Sequence, residues 1–248
     1  MDDEIFYNNF KKAFENIPDD FNILEEQIDI EIQMQYFEFV RKVRDNTYNF
    51  EISESGNELF LPETELERKK EILAVLSVTD DVKAYRTIEK FITTADGFIK
   101  QWAILALQES RVLLQSSLLD EQQVFISTGL GGKGQKLRFF IVFLNNAQQT
   151  ILNNTQQKLL KDELIFELQK SQGEFETIDF IEGFSTALVM LPLKADIQTI
   201  FKNIISECNQ YGNFLKDDLI ITNVKIFSKD EIIGILNKKE TEENHEVN

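Results

Sequence analysis

Apolar residues in this chain recur in two different rhythms, and the change between them divides the sequence. Up to about residue 119 most runs have helical spacing. Phe6, Phe10, Ala13, Phe14 and Ile17 mark one amphipathic helix over 4–16, closed by Pro18. Over 24–45, Ile28, Ile30, Ile32, Met34 and Tyr36 alternate as in a strand. Ile28, Ile32, Tyr36, Phe39, Val40 and Val43 also fall on one helix face, and the length and Glu/Gln content favour the helix. "YNFEISESGNELFLP" predicts a hairpin, with Phe50 and Ile52 before a Ser-Gly-Asn turn and Leu59 and Leu61 after it.

Residues 63–118 predict three helices joined by short polar turns. The first follows Pro62, with Thr64 as N-cap and Glu67 at the capping-box distance. From residue 122 the rhythm becomes strand-like. "QQVFIST" and "KLRFFIVFLNN" predict strands around a glycine-rich stretch, and a helix capped by Thr155 follows. "FETIDFIEGFSTALVMLPL" reads as one bent strand or a pair broken near Gly183. A helix ending at Gly212 comes next, then "DDLIITNVKIFS" and "EIIGIL" as closing strands and 238–248 as a frayed tail. The expected fold is α+β: a helical block over 1–119, then an α/β sandwich over 120–237 with β-β-α-β-α-β order and two helices on one face of the sheet.

One resemblance attaches to the helical block. Asp80-Asp81 stand at a turn before Val82, Tyr85, Ile88 and Ile92. After Gly97, "IKQWAILALQES" carries Trp102, Ala103, Leu105, Ala106 and Leu107. This pattern resembles HEAT-type helical repeats over about one and a half repeats. The resemblance implies stacked helices that bind proteins. So few repeats do not make a stable solenoid alone, so neighbouring elements must complete the core.

Charge changes the picture unevenly. The net charge is -17, and residues 1–66 hold 17 acids against five bases. Between Glu121 and Asp162 there is no acid at all, while Lys133, Lys136, Arg138, Lys158 and Lys161 fall inside. Hydrogen-bonding residues without charge crowd the same window: Asn145, Asn146, Gln148, Gln149, Asn153, Asn154, Gln156 and Gln157. Within it, "GLGGKGQ" sets Gly129, Gly131, Gly132 and Gly134 around Lys133, with Lys136 and Arg138 just beyond. A nucleotide phosphate loop needs Ser or Thr after the lysine and a helix after the loop. Gly134 and a strand stand there instead. Two readings remain: a hairpin tip whose glycines supply positive φ, or a contact finger whose backbone approaches a partner and whose cations meet phosphates. The binding residues expected on the second reading are Gly129, Gly131, Gly132, Lys133, Gly134, Lys136 and Arg138.

Catalytic chemistry has little to work with. His245 is the only histidine and Cys208 the only cysteine, so a nucleophile–histidine centre or a His/Cys metal site is not expected. Cys208 sits at helical spacing from Ile204 and Ile205 and reads as a core residue. Asp179 with Glu182, and Asp217 with Asp218, are the carboxylate pairs that a Mg²⁺ or Ca²⁺ ion would use, but neither has ligand-loop spacing. No cofactor or metal is expected. The acidic start lacks a signal peptide's basic end, no run is long enough to cross a membrane, and a lone cysteine suits a cytoplasmic protein. The Asn-, Ile- and Lys-rich composition has a bacterial cast. The function expected is a non-enzymatic binding or assembly protein. It would contact a protein complex or a ribonucleoprotein through the helical block and the glycine hairpin. An enzyme using carboxylates and backbone amides is the alternative.

Overall fold

Helix ends in this chain are fixed by short polar side chains, and several of them lie one or two residues from where the sequence pattern puts them. The computed structural model describes residues 21–45, 56–121, 123–147 and 149–246, with side chains to residue 238. The helix expected over 4–16 and the strand expected at Phe50 and Ile52 lie outside these residues. A three-residue strand, β1 (Phe21–Ile23), precedes α1 (Ile30–Asp45). Asp29 opens α1 by accepting the Glu31 N–H at 2.7 Å. The helix buries Gln33, Tyr36, Val40 and Val43, spaced three and four apart.

The hairpin expected around 50–61 is corrected in its described part: residues 56–58 form a helical turn, and Leu59 is buried. The capping box expected at Thr64 does not form either. Thr64 donates its hydroxyl to the Glu58 carbonyl at 2.6 Å, and α2 (Leu66–Ser77) begins after Glu65. Asp81 caps α3 (Val82–Ile92) by accepting the Lys83 N–H. The long α4 (Gly97–Leu119) packs against both α2 and α3 and ends where Asp120 turns left-handed at φ 52. Trp102 lies at the centre of this block, 1% exposed, edge-on to Tyr36 and Phe39.

The second half is built on β4 (Lys136–Asn145), whose pattern is buried at nearly every position. A strand with both faces covered reads as a continuous apolar run, and "FFIVFL" is that run. The other strands of this half are β2 (Val124–Ile126), β3 (Gly132–Lys133), β5 (Glu174–Ile181), β6 (Phe184–Pro192) and β7 (Leu215–Thr222). The chain over 174–192 is a hairpin, turned at Glu182-Gly183 with Gly183 at φ 87. The five-stranded sheet runs β3-β4-β6-β5, with β7 on the β3 side of β4, and every pairing in it is antiparallel. Helices α5 (Asn154–Lys170) and α6 (Ile197–Asn209) connect β4 to β5 and β6 to β7. The path β4-α5-β5-β6-α6-β7, with spatial order β7-β4-β6-β5, is the ferredoxin-like split βαβ arrangement. The fold class is α+β.

Leu160, Leu164 and Leu168 of α5 and Phe201 and Ile204 of α6 cover one sheet face, over Leu137, Phe139, Ile141 and Phe143. The cap of α5 is Asn153 rather than Thr155. The Asn153 side chain accepts from Thr155 and Gln156, and Gln156 reaches back to the Asn153 N–H. The other face holds Phe140, Val142, Leu144 and Phe184, packed against Ile232. Ile232 belongs to α7 (Lys229–Glu246), so two expectations are corrected together: "EIIGIL" is helical, not a strand, and the helix continues through most of the supposed tail. The physical reason is a capping box. Ser228 and Glu231 hydrogen-bond each other's backbone N–H groups, at 2.8 and 3.3 Å.

The two halves are stitched close to the chain's change of rhythm. β1 pairs in parallel with β2, Phe21 to Val124 through Ile23 to Ile126, and Phe21 and Ile23 join the core beneath the sheet. Gln33 on α1 is buried. Its amide donates to Ile28 and Thr128 carbonyls at 2.8 and 3.0 Å and accepts from the Ser127 hydroxyl. The five-stranded sheet itself draws all its strands from 132–222.

Inside the helical block one carboxylate is buried among donors. Glu109 of α4 accepts from Tyr36 and from Arg44, with the Ser77 hydroxyl at 3.2 Å. Burial first, and then the Glu109 charge, push the Tyr36 phenol well above its ordinary range, so it stays a neutral donor. Tyr36→Phe removes a donor from a buried charge and should lower unfolding stability by about 2 kcal/mol. Arg44→Ala should cost less, because the arginine side chain is 60% exposed. Urea midpoints at unchanged m-value measure both; equal losses would mean that the exposed pair carries the site.

Candidate functional site

The glycine stretch proves to be an internal seam for most of its length. Gly129, Gly131 and Gly132 are buried. A methyl group on Gly129 would stand 1.6 Å from the Val224 carbonyl oxygen. On Gly131 it would meet the Glu25 and Glu26 oxygens at 2.6 and 2.7 Å, and on Gly132 the Lys136 oxygen at 2.1 Å. These glycines let the 129–132 backbone pass between the β1–α1 connection and the end of β7. Only glycine permits such closeness, and Gly131 also needs its φ of 65°. The exposed part is short: Lys133, then Gly134 at φ 59 and Gln135 as the two-residue loop between β3 and β4.

The cations expected to face a partner are largely taken up inside the protein. Arg138 makes a two-bond pair with Glu176, at 2.7 and 2.9 Å, and also donates to the Leu130 carbonyl at 2.7 Å. Lys136 pairs with Glu174 at 2.6 Å. Both pairs reach from β4 to β5 across β6. The Glu176 hydrogen bonds hold the Arg138 guanidinium above its ordinary range. Of the seven residues expected to bind, the surface offers Lys133 and Gly134 fully. The amides of the acid-free window serve the protein's own backbone: Asn146 donates to the Asn213 and Leu215 carbonyls around the start of β7, Gln157 donates to that of Leu152, and Asn153 caps α5.

The catalytic candidates are not gathered. Cys208 is buried, and burial first, then Glu163 and Glu207, push its thiol up to about 12. It is a packing residue without thiolate character at neutral pH. His245 falls in α7. Asp179 on β5 and Asp218 on β7 are separated by β6 and β4. No group of three or more His, Cys, Asp or Glu suited to a metal occurs among the described residues.

A cleft of about 270 Å³ opens elsewhere, where the end of β4, the β5–β6 turn and the start of β7 meet α7. Its polar lining includes Asn145, Gln149, Glu182, Lys216 and Lys229, and its apolar wall includes Leu144, Phe184, Ile233 and Leu236. Asn145 is 1% exposed. Its side-chain N–H donates to the Thr150 carbonyl at 3.0 Å, and its Oδ1 is buried with no hydrogen-bond partner. The sequence singled out Asn145, Gln149 and Glu182 but missed both lysines and the apolar wall. The wall was hidden because 231–236 reads as a strand. The Ser228–Glu231 spacing was the signal that would have placed a helix there.

Comparisons with known proteins add likeness but no family. No protein-family model matches the chain, and no curated protein matches it by sequence. The crystal structure of a "putative transposase" from Deinococcus radiodurans R1 aligns with 43% of this chain and 90% of its own, at 12% identity and a TM-score of 0.33. A C-terminal segment of the α subunit of aIF2 from Pyrococcus abyssi aligns with 79% of this chain and 99% of its own, at 11% identity and a TM-score of 0.24. Likeness at this level carries no functional argument.

Two outcomes are expected. Gly129→Ala should lower the thermal midpoint sharply or abolish soluble folding, whereas Lys133→Glu should leave the midpoint within a few degrees; thermal scans of the two variants compare them. The second concerns α7. Hydrogen bonds from Lys225 and Ser228 draw the Glu231 carboxyl from 4.5 down to about 2. Its folded value lies below its unfolded one, so its contribution is complete above about 4.5 and is lost as pH falls towards 2. Hydrogen-exchange protection over 229–238, taken relative to the intrinsic rate at each pH, should fall across that window, and Glu231→Gln should abolish that fall.

Proposed function

We propose that this is a non-enzymatic binding or assembly protein whose main contact surface is the helical block. The observation that carries the reading is an apolar stripe on the outer side of α1. Ile30, Met34 and Phe37 recur one turn apart and are 36%, 67% and 38% exposed. The Phe37 ring lies 5.9 Å from that of Phe125 on β2, which extends the stripe to the neighbouring strand. Scattered surface apolar residues need no explanation, but an aligned set of them is the anchor pattern of a helix-borne interface. Glu31 flanks the stripe, and Glu38 beside it pairs with Lys42 at 2.9 Å, which suits a protein partner with an apolar centre and a polar rim.

The HEAT-like pairing of helices over 63–118 belongs to this proposal as the scaffold behind the stripe. So does a secondary contact through Lys133, Gly134 and Gln135. A ribonucleoprotein is the weaker partner class, because Lys136 and Arg138 spend their charge on Glu174 and Glu176. The enzyme alternative needs its carboxylates together, and Asp179 on β5 and Asp218 on β7 are separated by β6 and β4. The lone cysteine is the ground on which we propose a cytoplasmic location, and among the described residues no helix is long and apolar enough to cross a membrane.

Affinity purification from the native cell tests the reading. The double variant Met34→Glu, Phe37→Glu should lose the proteins that the unaltered chain retains, at nearly unchanged thermal midpoint. An identical retained set from both would overturn the assignment of the surface.

A further inference from the structure

The cleft between α7 and the sheet has the composition of a small-anion site, and no role assigned above uses it. Lys216 enters from the start of β7 and Lys229 from the first turn of α7. Neither makes an ion pair among the described residues, whereas Lys225, four residues before the helix, is held by Glu231. Glu182 is the one carboxylate in the lining. Two ammonium groups and one carboxylate leave a single positive charge, which a monoanion neutralises and a phosphate dianion overshoots. The start of α7 already carries an anion of its own, since Glu231 accepts the Ser228 N–H there. At about 270 Å³ the cleft falls just below the usual range for whole small-molecule ligands, so it suits a fragment rather than a nucleotide.

The remaining lining says what the fragment carries besides its charge. Asn145 contributes an amide oxygen without a donor, and Gln149 is a second amide in the lining. A buried acceptor left unpaired costs stability, so a ligand that brings an N–H gains there. Leu144, Phe184, Ile233 and Leu236 offer one apolar wall. A carboxylate, an adjacent amide N–H and an apolar side chain are the three features of the last residue of a peptide. We propose that the cleft binds an N-acylated apolar amino acid through its free carboxylate, with Lys216 and Lys229 on the carboxylate, the amides of Asn145 and Gln149 on its N–H, and the α7 wall on its side chain. The source is either the carboxy-terminus of another chain or a free acylated amino acid.

Calorimetric titration of the full chain tests this with four probes: N-acetyl-leucine, its amide, a tetrapeptide ending in leucine with a free carboxylate, and inorganic phosphate. The two free acids should bind, and the amide should bind about tenfold more weakly or worse, the value of one charge-assisted contact. Lys216→Gln and Lys229→Gln should each weaken the acids by about tenfold at unchanged thermal midpoint. A tetrapeptide that binds more tightly than N-acetyl-leucine identifies a chain terminus as the source; equal binding identifies the free acylated amino acid. Amide shifts at Asn145 and Gly183 in the unaltered protein, read by NMR during the titration, locate the site without any variant. The proposal is overturned if the amide binds as well as the acid, if phosphate binds better than either, if no probe binds at millimolar concentration, or if the shifts fall elsewhere. Loss of partners by the α1 variant bears only on the proposed function, so the two readings fail separately.

Discussion

Backbone against backbone at Gly129, Gly131 and Gly132 is the constraint around which this molecule is arranged. At each of these positions the chain passes another stretch of main chain with no room for a β-carbon. The neighbours are the connection between β1 and α1 at Gly131, Val224 just beyond β7 at Gly129, and the start of β4 at Gly132, so one short segment sets the spacing of elements far apart in sequence. Leu130 adds a hydrogen bond to the Asn223 carbonyl at 3.0 Å, and Gly131 accepts from the Arg138 N–H at the same distance. Close passage leaves no space for water, so these pairings are how the buried peptide groups are satisfied.

Polar side chains complete what the glycines begin. Gln33 crosses from α1 to Thr128, one residue before the first of them. Arg138, one residue after β4 begins to be buried, is tied to β5 by Glu176 and to the loop by Leu130. Glu109 does the equivalent inside the helices, joining α1, α2 and α4 through Tyr36 and Ser77. Apolar burial supplies most of the driving force, but it is non-directional. These fixed donors and acceptors decide which packing is reached, because a misplaced partner leaves a buried group unpaired.

Much of the architecture was legible in the residues. The switch of rhythm near 120, the strand in "FFIVFL", the break at Gly183 and the core positions of Trp102 and Cys208 all follow from spacing and composition. What escaped has a common cause. A six-residue run such as "EIIGIL" fits a strand or a helix equally, and only Ser228 before it, together with Glu231 at its first position, decides. The glycine stretch failed for a different reason. Glycines on an exposed tip and glycines in a tight crossing are the same letters, and the partner backbones at Leu24–Glu26 and Val224 lie far off in sequence. The cleft draws its lining from four separate stretches, so no local pattern could announce it.

The placing of α7 has a consequence for how the chain acquires its shape in time. Phe140, Val142, Leu144 and Phe184 are all synthesised well before Ile232, the residue that shields them. Until that last helix emerges, the sheet has one finished side and one bare, apolar side. Such a surface is an invitation to self-association or to chaperone capture during translation. The vulnerable interval ends only when Ser228 and Glu231 start the helix, which gives a two-residue cap on the surface an influence over the yield of the whole fold.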